Sequence, residues 1–585
     1  MSFRVRKNVM VPMRDGVRLA TDLWIPEGDG HENDMPRPTL LVRLPYTKDL
    51  FPANEFDYPT MPNIFRLLEA GYAIVYQDCR GTGSSEGRFV PLASEAEDGA
   101  DMISWLRDQP WCNGSIGTFG HSYLGMTQWA LATEAPEGLK AMVPTITAID
   151  AYRSFWYSDG GAVSWHTVWS WTDLMLMLPT RDTADHPRTA PVIAGEAAGM
   201  LAQAEGEMAH LPLIDHPLYR EVWPWWAEFL AHPTFDDHWR SQLAVDKLDR
   251  VTAPALHIAG WFDIFAPDMA RAFARATTET GTGAARAGQR LIIGPWDHMH
   301  FTGDYADRSF GLEAGLTALD LTQSYLDYFD RHVRGIDDSA DLAPVRIFVM
   351  GADEWRDEPS WPLPDTAYTD YFLSSVEGAN SSLGDGRLSP DAPQVQGADT
   401  IDYDPADPVP TLGGRLIAPA SLNAVGPVDQ RAVEERADVL CYSTEVLDEP
   451  VEVTGFVSAS LFVSSTAVDT DVTAKLVDVF PDGRAIYLTD GILRLRYRDS
   501  LSEPALLEPG RAYEVEIDMG VTSNVFLAGH RIRLEVSSSS FPRYDRNLNT
   551  GRDVATDAHG IAATNRIHFT SLQPSRLTLP VIRRD

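Results

Sequence analysis

Apolar runs and helical spacings alternate along the first part of the chain. "RPTLLVRLPY" (37–46) and "GYAIVYQDCRG" (71–81) are short apolar runs that close on turn residues, the pattern of buried strands. "SEAEDGADMISWLRDQ" (94–109) instead sets Ala100, Ile103 and Leu106 along one face of a helix. "LKAMVPTI" (139–146) reads as a strand again, and the alternation resumes at "APALHIAGWFD" (253–263) and "QRLIIGPWDH" (289–298). A long helical stretch follows at 315–335. Strands that alternate with helices predict a parallel sheet with helices on both faces.

Two regions break the pattern. Residues 148–241 look helical and irregular and hold eight of the sixteen tryptophans. They read as a cap inserted at the mouth of the sheet, the alternative being a separate helical domain with an aromatic core. From residue 353 onward the period becomes two. In "RIRLEVSSSS" (531–540) Ile532, Leu534 and Val536 face one way, and Arg531, Arg533 and Glu535 the other. "DVTAKLVDVFPDGRAIYLTDG" (471–491) is a hairpin turning at Pro481-Asp482-Gly483, and "VEVTGFVSASLFVSS" (451–465) is strand-rich. "DYDPADPVPTLGG" (402–414) reads as an extended loop. The expected organisation is an α/β domain in two parts (1–147 and 242–352), a helical cap (148–241) and a C-terminal jelly-roll β-sandwich (353–585).

The chemistry begins at "GTFGHSYLGM" (117–126). Ser122 falls on the turn between a strand and a helix, where an α/β-hydrolase carries its nucleophile. The turn is sharp, so small neighbours such as Gly120 and Gly125 suit it. Leu124 stands where the usual G-x-S-x-G pattern has its second glycine, and a helix N-cap serine is the bland reading. A hydroxyl needs a base, and the base an orienting carboxylate, in the chain order Ser, Asp, His. Asp263 and His298 each follow a strand at the sheet edge where open α/β sheets carry their sites. Asp268 follows the same strand as Asp263 but falls in a helix. Asp297 adjoins His298, too close for the required bond. His300 is a rival base, and a metal site on His298 and His300 lacks a third ligand. His121 should point away from the elbow, and His257 reads as a core histidine.

"GHSYLGMTQW", "GWFD", "GPWDH" and "QDCRGTGSSEG" together resemble the cocaine-esterase group of the X-Pro dipeptidyl-peptidase-like hydrolases, along nearly the whole chain. The resemblance implies Ser122 as nucleophile, Asp263 as orienting acid and His298 as base. It implies the Tyr123 N–H and the Tyr46 hydroxyl as oxyanion donors, Tyr46 being otherwise a core tyrosine. It implies Trp156 and Trp171 in the acyl pocket, with Phe265 pointing to the same mouth. Trp223, Trp225 and Trp226 are assigned to packing. Ala418, in "GGRLIAPA" (413–420), is expected to widen the pocket. Neither cofactor nor metal is implied. "QDCRGTGSSEG" lacks the lysine of a phosphate loop and reads as a buttress containing an Asp78–Arg80 ion pair.

Composition narrows the partners. The net charge of −36 argues against nucleic acid. Cys79, Cys112 and Cys441 suggest neither a disulfide framework nor a zinc site. "MSFRVRKNVMVPMRDG" lacks a signal peptide's apolar core, and no apolar run approaches the roughly 18 residues needed to span a membrane. The expectation is a cytoplasmic monomer or homodimer acting on a small ester or amide. Two other readings stand beside it. One is a dipeptidyl-peptidase, with Asp159, Asp173 or Glu221 as candidates to hold a substrate amine. The other is a binding protein on an inactive hydrolase scaffold.

Overall fold

The computed structural model describes residues 2–27, 35–50, 60–178, 180, 185–336, 343–393, 395–417 and 424–584. Ala418 lies outside them. The sheet expected in the first region contains, in chain order, β1 (Ser2–Pro12), β2 (Arg18–Glu27), β3 (Arg37–Leu44), β4 (Ala73–Asp78) and β5 (Cys112–His121). It continues with β6 (Leu139–Thr145), β7 (Leu256–Gly260), β8 (Arg290–Gly294), β9 (Val345–Val349) and β10 (Glu354–Glu358). Their spatial order is β1-β2-β4-β3-β5-β6-β7-β8-β9-β10. Every pairing from β4 through β9 is parallel, and the pairings at the two ends are antiparallel. Helices cover both faces, so β4 is buried along its whole length.

Polar side chains shift the phase of one helix. In α1 (Glu95–Arg107) the buried face runs through Glu95, Asp98, Gly99, Met102, Ile103 and Leu106, while Ala100 is half-buried. Two carboxylates share that face because the buried Arg43 guanidinium lies 2.8 Å from Glu95 and 3.9 Å from Asp98. Buried charges persist only when partnered in this way.

The stretch 315–335 is not one helix. Asp320 adopts φ 39°, separating a 3₁₀ turn (Leu316–Leu319) from a helix (Leu321–Phe329) that ends in a π turn (Asp330–Arg334). The Asp320 carboxylate caps that helix at the Gln323 N–H (3.2 Å) and pairs with Arg66 at 2.6 Å.

The C-terminal region is all-β. Twelve strands, from Thr366–Ser374 to Arg576–Ile582, belong to one hydrogen-bonded sheet among the described residues. The 471–491 hairpin forms from Asp471–Val479 and Ala485–Arg494, closed by the Gly483 N–H on the Phe480 carbonyl at 2.9 Å. Glu535 does not face water: it is buried beside Lys475 at 2.8 Å. The insertion packs between the two sheets. Its Val163 N–H donates to Asp545 (2.7 Å), and its Asp159 shares Arg271 with Asp518. No helix among the described residues is long and apolar enough to cross a membrane.

Candidate active site

Ser122 stands between β5 and α2 (Tyr123–Ala132) with φ 56° and ψ −126°. A non-glycine residue there stores strain of about 1–3 kcal/mol and needs surroundings that hold it. Its N–H donates to the Thr145 and Ile146 carbonyls (2.9 and 3.1 Å). Its carbonyl accepts the Thr147 hydroxyl at 2.6 Å. The two glycines are required by close approach. A Cβ on Gly120 would lie 2.6 Å from Leu124 Cβ, and one on Gly125 would lie 2.4 Å from Thr147 Cγ2. Leu124 therefore costs the elbow nothing, because the tight contact with the segment that follows β6 falls at Gly125.

The ends of β7 and β8 bring two more side chains to this turn. His298 Nε2 lies 3.0 Å from Ser122 Oγ, and His298 Nδ1 lies 2.6 Å from Asp263 Oδ2. The other Asp263 oxygen accepts the Phe265 N–H at 2.8 Å, so both lobes of a fully buried carboxylate are engaged. The rivals are occupied elsewhere. His300 Nδ1 sits 3.0 Å from Asp297, whose carboxylate also accepts the Met299 and His300 N–H groups. Asp268, in the helix Ala266–Glu279, accepts the Ile149 and Asp150 N–H groups, and burial and Asp150 push its pKa up to about 7. Burial and then the neighbouring His298 push His121 down to about 3, so it is neutral at physiological pH. His257 is buried in β7 against Gln289 at 2.9 Å.

Tyr46 lies two residues past β3, next to β5 in the sheet, and so at the same edge as Ser122. The Trp171 indole N–H donates to its hydroxyl at 3.0 Å. Tyr123 occupies the first turn of α2, where a backbone N–H has no partner within the helix. Its side chain anchors the elbow from behind: the phenol accepts the Leu92 N–H (2.8 Å) and donates to Glu95 (3.1 Å). Glu95 is in turn held by Arg43.

The Asp78–Arg80 ion pair does not form. Asp78 is buried at the end of β4, and the turn that follows folds back on it: its carboxylate accepts the Lys48 and Ser84 N–H groups at 2.6 and 2.9 Å. Arg80 turns instead to the buried Asp98 and to Asp15, at 2.6 and 2.7 Å.

Comparison with known proteins gives the family of the chain. Residues 15–300 match the family model described as X-Pro dipeptidyl-peptidase (S15 family), and 338–578 match its C-terminal non-catalytic domain. The chain is 48% identical to a cocaine esterase of Rhodococcus sp. (strain MB1 Bresler), covering 100% of this chain and 99% of that protein. The chain belongs to the cocaine-esterase group of the X-Pro dipeptidyl-peptidase-like hydrolases. Among solved structures, an α-amino acid ester hydrolase superposes with a TM-score of 0.78 at 26% identity, covering 99% of this chain and 96% of that one. An aminopeptidase from a marine sediment Thaumarchaeota archaeon gives 0.78 at 26%, covering 99% and 97%. This cocaine-esterase-like chain is thus an enzyme of the ester- and amide-hydrolysing kind.

The aromatic residues of this esterase-group chain form one connected cluster. Trp171, on α3 (Trp165–Met177), lies parallel to Tyr123 at 6.0 Å and edge-on to Trp156 at 6.1 Å. Phe265 packs edge-on to the His298 imidazole at 5.5 Å. Phe155, which sequence reasoning passed over, joins the two groups: it lies 5.2 Å from Trp171, 4.8 Å from Trp156 and 6.4 Å from Phe265. It sits on a π turn (Tyr152–Trp156), a backbone feature that no local sequence pattern announces. Trp225 packs against Trp156 and Trp171 at 5.7 and 6.1 Å. Trp226 does pack inside the cap, against Trp165 and Tyr219. Of the three candidate amine-binding acids, Asp159 pairs with Arg271 and Glu221 with Arg188. Asp173 is buried with no arginine paired to it among the described residues, and burial and then Glu207 push its pKa up to about 7.

Proposed function

We propose that this chain hydrolyses carboxylic esters through an acyl-enzyme on Ser122. The observation that carries the reading is the hydrogen-bonded chain Ser122–His298–Asp263 on a strained elbow. His298 takes the Ser122 proton as Oγ attacks the carbonyl, and Asp263 holds the imidazole in the tautomer with its proton on Nδ1. The tetrahedral oxyanion is received by the Tyr123 N–H and the Tyr46 hydroxyl. His298 then protonates the leaving alcohol, and water releases the acyl group by the same route. No nucleic acid enters the reading, in keeping with the −36 charge.

Tyr46→Phe should lower kcat by roughly 10²–10³ and leave KM nearly unchanged, the signature of a lost oxyanion donor. The Trp171 indole N–H donates to the hydroxyl oxygen and holds the phenol in place. An effect confined to KM would move Tyr46 into the binding pocket.

The acyl pocket is assigned to Trp156, Trp171 and Phe265, with Phe155 between them. Such an aromatic wall favours aromatic or bulky acyl groups. Burying a phenyl ring is worth roughly 1.5–3 kcal/mol, so kcat/KM for p-nitrophenyl benzoate should exceed that for p-nitrophenyl acetate by about 10–100-fold. Both should exceed Ala-Pro-p-nitroanilide. The buried Asp173, two residues from Trp171, is the feature that favours an amine-recognising peptidase instead. Faster turnover of Ala-Pro-p-nitroanilide would establish that second reading and sink the esterase.

A further inference from the structure

Two chain segments meet behind Ser122 to form the aromatic wall assigned to the acyl pocket. One continues from β6. Its Thr145 and Ile146 carbonyls accept the Ser122 N–H, and it then runs through Ile149 and Asp150 into the π turn that carries Phe155 and Trp156. The other follows β7, carries Asp263 and Phe265, and enters the helix Ala266–Glu279. Phe155 and Phe265 stack across the gap, 6.4 Å apart.

Asp268 ties the two segments together. It is buried in the first turn of the helix, which the Met269 N–H closes on the Phe265 carbonyl at 2.9 Å. Its Oδ2 accepts both the Ile149 N–H (2.8 Å) and the Asp150 N–H (3.0 Å). Asp150 in turn caps the π turn. Its carboxylate accepts the Arg153 N–H at 3.2 Å and pairs with the Arg153 guanidinium at 2.8 Å, and its carbonyl accepts the Ser154 hydroxyl at 2.6 Å. A short run of hydrogen bonds thus leads from the Phe265 side of the wall, through Asp268 and Asp150, to the Phe155 side.

We infer that Asp268 is a positioning residue that sets the separation of Phe265 from the Phe155–Trp156 turn, and so governs how large an acyl group the enzyme prefers. The inference rests on the acyl pocket assigned under the proposed function. An acid that served only its own helix would bond the N–H groups of that helix, whereas Asp268 bonds another segment. The bridge is also stiff, because without it two buried N–H donors lose their acceptor. π turns are rare and concentrate at functional sites, and this one carries two rings of the wall. Asp268 borders a polar cavity of about 250 Å³, together with Ile149, Asp150, Pro267 and Arg271. Water can enter the place of a shortened side chain from that cavity, so truncation should shift the turn rather than unfold the protein.

Kinetics on p-nitrophenyl benzoate and p-nitrophenyl acetate test this. The benzoyl ring needs the wall and the acetyl group does not, so the ratio of their kcat/KM values reads the wall, and any loss at the triad cancels. In Asp268→Ala and Asp268→Ser the ratio should fall at least tenfold, chiefly through a raised KM for benzoate, since a misplacement of about an ångström is enough. Asp268→Asn keeps an oxygen for the Ile149 and Asp150 N–H groups and should hold the ratio within about threefold of wild type. A merely structural acid would lower both substrates together, and an unchanged ratio in the two truncated variants would overturn the inference. So would an equal fall in Asp268→Asn, which would assign the effect to charge rather than to the bridge. Should the truncated variants not fold, Arg153→Ala carries the test. Its side chain is half-exposed, and its loss loosens the Asp150 cap one step further along. The ratio should then fall several-fold, and a ratio within about twofold of wild type would overturn the inference. A wild-type enzyme with no benzoyl preference would sink the pocket reading itself, and this inference with it, before any variant is made.

Discussion

Ser122→Ala should lower kcat on p-nitrophenyl benzoate by on the order of 10⁶ and abolish labelling by a fluorophosphonate probe. The size follows from the role. Without Oγ there is no acyl-enzyme, and what remains is the oxyanion site and binding, which assist only a direct attack by water. Alanine keeps the small Cβ that the elbow already accommodates, and the backbone bonds from Ser122 to Thr145, Ile146 and Thr147 do not involve the hydroxyl. Folding should therefore survive, as a thermal melt superimposable on wild type would show. Retention of even a tenth of wild-type turnover would mean that the nucleophile lies elsewhere.

Asp263→Asn should cost roughly 10⁴ in kcat with little change in stability. The Phe265 N–H donates to Asp263 Oδ1, so an asparagine here must turn its carbonyl oxygen toward that donor. Its amide NH₂ then faces His298 Nδ1. That nitrogen is forced to accept, the ring proton moves to Nε2, and the atom facing Ser122 can no longer take a proton. The same geometry predicts which probe reports the defect: Ser122 should react with fluorophosphonate orders of magnitude more slowly, while a ground-state ester should bind with nearly unchanged KM. Equal loss in KM would point to a collapsed pocket rather than a reversed tautomer.

What could be read from the chain alone followed the range of the forces involved. A strand that stops at a turn is a local pattern, and it marked Ser122, Asp263 and His298 as positions at one edge of the sheet. The sheet then brings their side chains within hydrogen-bond reach. The two-residue period of the C-terminal strands is equally local. Features set by tertiary partners were not legible. Nothing near Arg80 says that it reaches Asp98 on α1 rather than its neighbour Asp78. The buried face of α1 shifts because Arg43, on another element, draws two carboxylates inward. Asp320 breaks a good helical pattern in order to cap the next segment and meet Arg66. Phe155 and Trp225 belong to the aromatic cluster only because the cap folds back on itself, which residue spacing cannot reveal.

The insertion between β6 and β7 has a consequence for the order in which the enzyme is made. The two strands are neighbours in the sheet, with Thr145 facing Ile258, yet the whole cap lies between them in the chain. Ser122 precedes the cap, while Asp263 and His298 follow it, and 176 residues separate the serine from its histidine. At about 5–20 residues per second, synthesis needs roughly 9–35 s to pass from one to the other. On the proposed triad, a nascent chain in that interval would carry the serine without its base, and reactivity toward esters would begin only after the residues of the insertion had been made.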